Sequence, residues 1–253
     1  MKLYLQKASI LKRISAYILD FIVLVICITG FATLFSAIFG YDNYNDTLEK
    51  RQEAIEAEYS VDFEIKQEDY DKLTQNQKDN YSKAQEAFLN DTEAVKAWNI
   101  IVSLILTIVS LSVLLSHIIA EFLIPMYLGN GQTIGKKVFS IGVMRSNHVK
   151  ITNQNLFIRS ILGKCTIEAM VPLLIVIMIF SGILGIVGTA VLGLILILQI
   201  CLLIFTSNNN VIHDILSDTV VVDMSSQLIF DTEEAMIEYI KKHHKEQVEG
   251  ERY

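Results

Sequence analysis

Hydrophobic positions in this chain come in long unbroken runs, not in the one-faced or alternating patterns of a water-soluble fold. The first run, Ile14 to Phe39, follows the basic residues Lys2, Lys7, Lys12 and Arg13. At 1.5 Å per residue it is long enough to cross a hydrocarbon core of ~30 Å. A second run covers about Ala97 to Tyr127, and from Ile158 to Phe205 the chain is almost wholly apolar. That last stretch is too long for one span and reads as a helical hairpin turning near Ser181-Gly182. Span three then runs from about Ile158 to Phe180 and span four from about Leu184 to Phe205. The pattern predicts an all-α membrane protein, a four-span transmembrane helical bundle, with a small extracytoplasmic helical insert and a short cytoplasmic β element.

The polar segments set the remaining divisions. Residues 1–40 hold the N-terminus and span one, 41–96 a polar insert, 97–128 span two, 129–157 a loop, 158–206 the hairpin and 207–253 a tail. In the insert, Thr74-x-x-Gln77 has the form of a capping box, so a helix is expected from there through Leu89. Asn90-Asp91-Thr92 then breaks that helix and starts the next. Val61, Phe63 and Ile65 alternate like a short strand. In the loop, Ile141–Arg145 and Val149–Thr152 flank Ser146-Asn147-His148 as a hairpin would. Val211–Leu216 reads as a turn of helix and Thr219–Val222 as a strand. From Asp231 an amphipathic tail helix is expected, fraying near Glu246.

Charge then orients these pieces. The insert carries fifteen acidic and seven basic side chains and has no Cys, His or Gly. Residues 129–160 are basic (Lys136, Lys137, Arg145, Lys150, Arg159), with no acid from Phe122 to Ile167. Short basic loops stay in the cytoplasm. The expectation is a multi-pass protein of the cell membrane with both termini cytoplasmic and the insert outside. The first run is too long for a signal-peptide core and lacks a small-residue cleavage site, so it is read as a retained span. A net charge of −7 argues against a nucleic-acid surface, and a 52% hydrophobic content with mean hydropathy +0.41 fits a chain whose main partner is the lipid bilayer. Cys27, Cys165 and Cys201 lie far apart in apolar sequence and read as inert thiols, not a zinc site or a disulfide framework.

Charges inside the spans are the chemically informative feature. Asp20, His117, Glu121, Lys164, Glu168 and Gln199 each fall ~7–15 Å from the cytoplasmic boundary of their span. Antiparallel packing gathers them into one polar layer in the inner leaflet. An acid at that depth is expensive, by ~3 kcal/mol on insertion scales, so each needs a compensating group. Two readings stay open. The charges neutralise one another and fix the helix register, or they form a proton or cation path. His117-x-x-x-Glu121 has the spacing of two metal ligands, but no third ligand accompanies it, and no metal or cofactor is expected. Ser181, Gly185, Thr189 and Gly193 recur every four residues, a small-residue row suited to close helix packing within the bundle or between protomers. Asn99, Ser103, Thr107 and Ser110 give span two only a weak polar stripe.

Three segments in this order resemble the RDD family of bacterial membrane proteins. They are Leu11-Lys12-Arg13-Ile14-Ser15-Ala16-Tyr17-Ile18-Leu19-Asp20, then Gly131-Gln132-Thr133-Ile134-Gly135-Lys136-Lys137 with Ile141-Gly142-Val143, and His213-Asp214-Ile215-Leu216-Ser217-Asp218-Thr219-Val220-Val221-Val222. The resemblance covers about residues 8–40 and 97–223 and leaves out the insert and the tail. The family is named for an Arg and two Asp, which carry over as Arg13, Asp20 and Asp214, and Arg159 resembles a basic residue that often follows the Gly-Lys segment. Many members have Pro where Ile134 stands and Gly where Ser217 or Asp218 stands. The family's molecular function is largely unassigned, and some members are described as cation/proton antiporters.

Gly131–Lys137 has the composition of a turn that starts a helix and presents free N–H groups, suited to a phosphate or lipid headgroup or simply to seating the loop on the bilayer. For Asp214, a helix-start cap or an ion pair with Arg13 or Lys136 is expected. No nucleophile–base pair stands out, so no enzyme is expected. The leading expectation is movement of a cation or proton, with Asp20 and Glu121 as carriers and Arg13 as counter-charge. The other is a membrane scaffold or accessory subunit with no transport. It would associate with itself, or with an envelope partner through 41–96.

Overall fold

The structure is a computed structural model that describes residues 4–250, with side chains through residue 243. Lys2 lies outside the described residues. Among the described residues, four helical stretches are long and apolar enough to cross a membrane: Ile10–Phe39, Thr92–Leu128, Asn153–Phe180 and Gly185–Phe205. The protein is an all-α membrane bundle with one two-stranded sheet.

In chain order, α1 (Ile10–Phe39) is followed by α2 (Tyr41–Tyr59), α3 (Gln67–Tyr70), α4 (Gln75–Asn90) and α5 (Thr92–His117). Span two continues as a π-helical segment, Ile118–Leu123, and ends as α6 (Ile124–Leu128). Then come α7 (Ile134–Val138), β1 (Ile141–Arg145) and α8 (Asn153–Phe157). Span three continues from α8 as a π-helical segment, Ile158–Met170, and finishes as α9 (Val171–Phe180). Span four is α10 (Gly185–Phe205), followed by α11 (Ile212–Leu216), β2 (Thr219–Asp223) and α12 (Glu233–Gly250). The tail helix, expected to fray near Glu246, continues to Gly250.

The chain divides into two compact units, one of residues up to Ile28 together with Val113 onward, the other of Thr29–Ser112. In the second unit, α2 and α4 pack together. The Thr74 capping box forms, with the Thr74 N–H donating to Gln77 Oε1 at 2.9 Å. Asp91 ends α4 and caps α5 by accepting from the Ala94 N–H at 2.8 Å, while Arg51 holds its other oxygen. The strand expected at Val61–Ile65 is not there. Its residues form turns, and the Phe63 ring packs on Tyr81 and Phe88. The alternation reflects one aromatic anchor in a turn, not a pleated face. The span-two hydroxyls of Ser103 and Thr107 bond to carbonyls one turn back on their own helix, Asn99 and Ser103 respectively.

The first unit is organised by its sheet. β1 pairs antiparallel with β2, Ile141 opposite Asp223 through Arg145 opposite Thr219. The expected hairpin turn at Ser146-Asn147-His148 forms, with the Arg145 N–H donating to the Val149 carbonyl at 2.9 Å, but its second arm, Val149–Thr152, contributes to β1 a single bridge, Lys150 to Met144. β2 takes the opposite edge of β1, to which Val220, Val221 and Val222 bring three β-branched side chains, all within 3% of full burial. The segment before α1 joins the other edge of β2, where Ala8 N–H donates to the Val221 carbonyl at 3.1 Å and Asp223 N–H to the Gln6 carbonyl at 2.9 Å. Ala8, Ala16, Ile141, Val143 and Val221 form one small core, and Met144, Val220 and Val222 another. The sheet thus fixes the start of span one against the chain that follows span four.

In the hairpin, Gly188 is the small residue that matters. A Cβ there would lie 2.7 Å from the Ile179 side chain, whereas Gly185 and Gly193 face nothing within 4 Å. Ser181 sits in the turn and bonds the Ile177 carbonyl. The row read from sequence therefore does not pack α9 on α10. Met144 has no exposed surface in its core. Met144→Ala is expected to lower stability by about 2–5 kcal/mol, read from thermal unfolding of the full chain in detergent.

Candidate functional site

The site is built from three short segments set against the spans, and its base is Asp214. This carboxylate has no exposed surface. Arg13 of α1 donates to its Oδ2 at 2.8 Å, and Arg159 of span three bonds its Oδ1. The Val211 N–H adds a third donor at 3.1 Å, which makes Asp214 the N-terminal anchor of α11. Arg159 also donates to Thr219 Oγ1 at 2.6 Å. Burial opposes ionisation of Asp214, but Arg159 and Arg13 prevail and hold its carboxyl well below the usual range. Of the two partners expected for Asp214, Arg13 is in contact. Lys136 is not.

Asp20 is held differently. Its Oδ2 accepts from the Thr133 hydroxyl at 2.5 Å and its Oδ1 from the Gly135 N–H at 2.7 Å. The acid sits at the N-terminus of α7, where free N–H groups and the end of the helix dipole favour a negative charge. Gly135 permits the approach, since a Cβ there would come within 2.2 Å of the Ala16 carbonyl oxygen. Two expectations are corrected. Arg13 is the counter-charge of Asp214, not of Asp20. Of the two uses offered for the α7 N-terminus, a seat for an external phosphate or headgroup does not hold, because the protein's own carboxylate occupies it. Gly131 (φ +58°) turns the loop toward β1, with Val143 too close for any Cβ, and Gln132 donates to the Ile141 carbonyl at 2.9 Å.

The other intramembrane charges pair off. Lys164 donates to Glu121 at 2.5 Å. Glu168 accepts from the His213 ring and, more weakly, from the His213 backbone N–H. Gln199 accepts from the Ile212 N–H at 3.4 Å. His117 stands apart: its Nδ1 bonds the Val113 carbonyl of its own helix at 2.8 Å, one turn before it. Among the described residues no group of three His, Cys, Asp or Glu side chains is placed to hold a metal. Burial and the neighbouring Arg159 lower the basicity of His213, which leaves its ring neutral at pH 7. At the rim, Lys12 bonds Asp223 at 2.6 Å and, with Ser225, pulls its carboxyl down to about 2.

Helix winding explains why span three can serve the site along its length. Arg159 and Glu168 are nine positions apart, about two and a half turns of α-helix, which would put them on opposite faces. In the π segment the hydrogen bonds reach five residues and the turns are wider. Arg159, Lys164 and Glu168 all come to line one cavity of ≈ 490 Å³. A Cβ on Gly163 would lie 2.5 Å from that of His213, so this glycine lets α11 dock on the π segment. Arg13, Asp20, Lys136 and Gln199 complete the polar wall, and Pro172, Leu192, Leu196 and Leu203 are among the apolar lining. The cavity therefore gathers four of the six intramembrane residues expected in the layer. Glu121 reaches it through Lys164, and His117 does not line it.

Within residues 7–218 the sequence matches the RDD family model. The chain belongs to the RDD family. No curated protein and no solved structure matches it. The RDD segments are the ones that build the cavity: span one supplies Arg13 and Asp20, the loop after span two supplies Thr133, Gly135 and Lys136, and α11 supplies His213 and Asp214. Thr219, which accepts from the Arg159 guanidinium, was visible in the sequence only as part of the third RDD-like segment and of a strand, not as a site residue.

Lys136 is the exception to this pairing. It is 7% exposed, and its ammonium has one hydrogen bond, to Thr133 Oγ1 at 3.3 Å, with no carboxylate in contact among the described residues. Burial, reinforced by Lys164 and Arg159, brings its pKa down to about 7. The unfolded chain holds this proton up to about 10.5, so between those values unfolding takes up a proton and stability rises with pH. The penalty is full below about 7 and is relieved on going to 10.5. Lys136→Met is expected to stabilise the fold by about 1–3 kcal/mol at pH 7, and the gap to wild type in a pH series of thermal unfolding should close as pH rises.

Asp214→Asn has the opposite expectation. It strands two buried guanidinium groups, at a cost of about 3–5 kcal/mol, read as loss of the folded full-length protein in detergent.

Proposed function

We propose that this RDD-family membrane protein moves a proton or cation through its polar cavity and is not an enzyme. The observation that carries the reading is the Asp20–Thr133–Lys136 chain. The Thr133 hydroxyl oxygen lies 2.5 Å from a carboxylate and 3.3 Å from a buried ammonium, and both of the residues it joins line the cavity. A carboxylate and an amine joined by a hydroxyl can pass a proton between them, and an amine that releases its proton near pH 7 suits that exchange. Of the two ions, the proton fits better. Glu121 and Asp214 are engaged by charged side chains and Glu168 by the His213 ring, which leaves Asp20, among the described residues, as the lining carboxylate held by no basic side chain. Glu121 thus acts by neutralising Lys164, and the carrier role falls to Lys136 with Asp20. The basic loop 129–160 and the acidic insert support a plasma-membrane orientation with both termini in the cytoplasm and 41–96 outside.

The same ion pairs favour a second reading, a scaffold or accessory subunit whose charges only lock the spans together. One experiment separates the two. Full-length protein in liposomes with an internal pH dye is challenged with Na⁺, K⁺ and Li⁺ gradients, and with an imposed membrane potential. Transport predicts a pH change that falls at least about tenfold, the equivalent of ~1.4 kcal/mol, in Lys136→Met and in Asp20→Asn. A folded wild-type protein that moves no protons under any of these gradients supports the scaffold.

A further inference from the structure

The cavity has a polar end and an apolar flank, and the two are unequal in what they lack. At the polar end Arg13, Arg159 and Lys164 are each bonded to a carboxylate, and Lys136 is, among the described residues, the lining cation with no carboxylate in contact. Lys136 has three N–H donors and uses one. The apolar flank is formed by α10, with Leu192, Ile195, Leu196, Ile200 and Leu203 facing the cavity. Leu196 is 62% exposed and Ile200 48% exposed, and across from them Ile14 and Tyr17 of α1 are lining and exposed at once. In apolar spans such surface faces lipid, so the cavity opens sideways toward the acyl chains between α1 and α10. Its ≈ 490 Å³ lies within the ~300–1,000 Å³ usual for small-molecule sites.

We propose that the cavity binds an anionic amphiphile, its headgroup completing the donors of Lys136 and its aliphatic chain lying along Leu192, Leu196, Ile200 and Leu203. The chemistry is specific at both ends. An inorganic anion leaves the apolar flank unfilled. A neutral amphiphile offers the ammonium no contacting anion, and a cationic one meets four basic side chains, Arg13, Lys136, Arg159 and Lys164, against the two carboxylates Asp20 and Glu168 on the wall. A carboxylate or phosphate monoester on an alkyl chain answers both. The α7 N-terminus plays no part, since Asp20 already fills it. This binding does not rest on proton movement and is tested without it.

The experiment uses the full-length chain in a neutral maltoside detergent, with dansyl-undecanoate as the fluorescent probe. Saturable binding of one probe per chain is expected. Decanoate, decyl phosphate and a short-chain phosphatidylglycerol compete in separate arms, which tell a fatty acid from a phospholipid headgroup; success of any of them supports the site. Decanol and inorganic phosphate are expected to compete at least about tenfold more weakly. Lys136→Gln is expected to weaken the probe by about tenfold or more, with Lys136→Arg retaining most of the affinity. Leu196→Trp, at the lipid-facing mouth, should weaken it with every charge in place. Probe affinity unchanged in both Lys136→Gln and Leu196→Trp, or decanol equal to decanoate, overturns the proposal.

Discussion

A carboxylate with no exposed surface, gripped by two guanidinium groups from different spans, is the constraint on which the first unit is built. Asp214 stands at the start of a five-residue helix, too short to hold itself in place by backbone hydrogen bonding alone. Its position is set by charge. Arg13 brings the first span to it, Arg159 the third, and the chain after the fourth span carries it. Removing Asp214 leaves two buried guanidinium groups without their carboxylate, at a penalty of several kcal/mol, whereas removing either arginine leaves a one-to-one pair and loosens one span from it. The β1–β2 pair and the segment before α1 place the same three pieces side by side through the backbone, so the sheet and the ion triad reinforce one geometry.

The spans themselves were legible because nothing competes with hydropathy over runs this long, and the observed limits differ from the expected ones by at most about five residues. The strand Thr219–Val222 and the capping box at Thr74 were legible because each is a local pattern with a local cause. Partner choice was not. Ser146-Asn147-His148 looks like a hairpin turn and is one, but only one bridge follows it, and the longer pairing of β1 is on its other edge, with residues more than seventy positions on that no local pattern points to. Val61–Ile65 alternates for lack of any other constraint, and its Phe63 serves a turn.

The candidate site shows the same limit more sharply. Depth along each span put Asp20, Lys164, Glu168 and Gln199 at one level, and they do meet around one cavity. Which charge meets which depends on helix phase, which an ideal α-helix sets at 3.6 residues per turn. The π winding of Ile158–Met170 breaks that phase and brings Arg159 round to the side of Glu168. Arg13 and Asp20 share a face of span one and still serve different partners, because one faces α11 and the other α7. Lys136 could be named as part of a motif. That it is the cation left without a contacting acid is visible only when the pairs are counted in space.

Arg13 and Asp214 are 201 positions apart, and this separation has a consequence for how the protein is made. At ~5–20 residues per second of synthesis, the guanidinium of span one exists for about 10–40 s before its carboxylate leaves the ribosome. Arg159 waits for a quarter of that time. Through the interval the first span must rest with its basic end at the membrane surface, where water solvates the charge that the finished fold will bury. A short helix made after all four spans is therefore the one that lets the first span settle, and assembly of the unit closes from its C-terminal side.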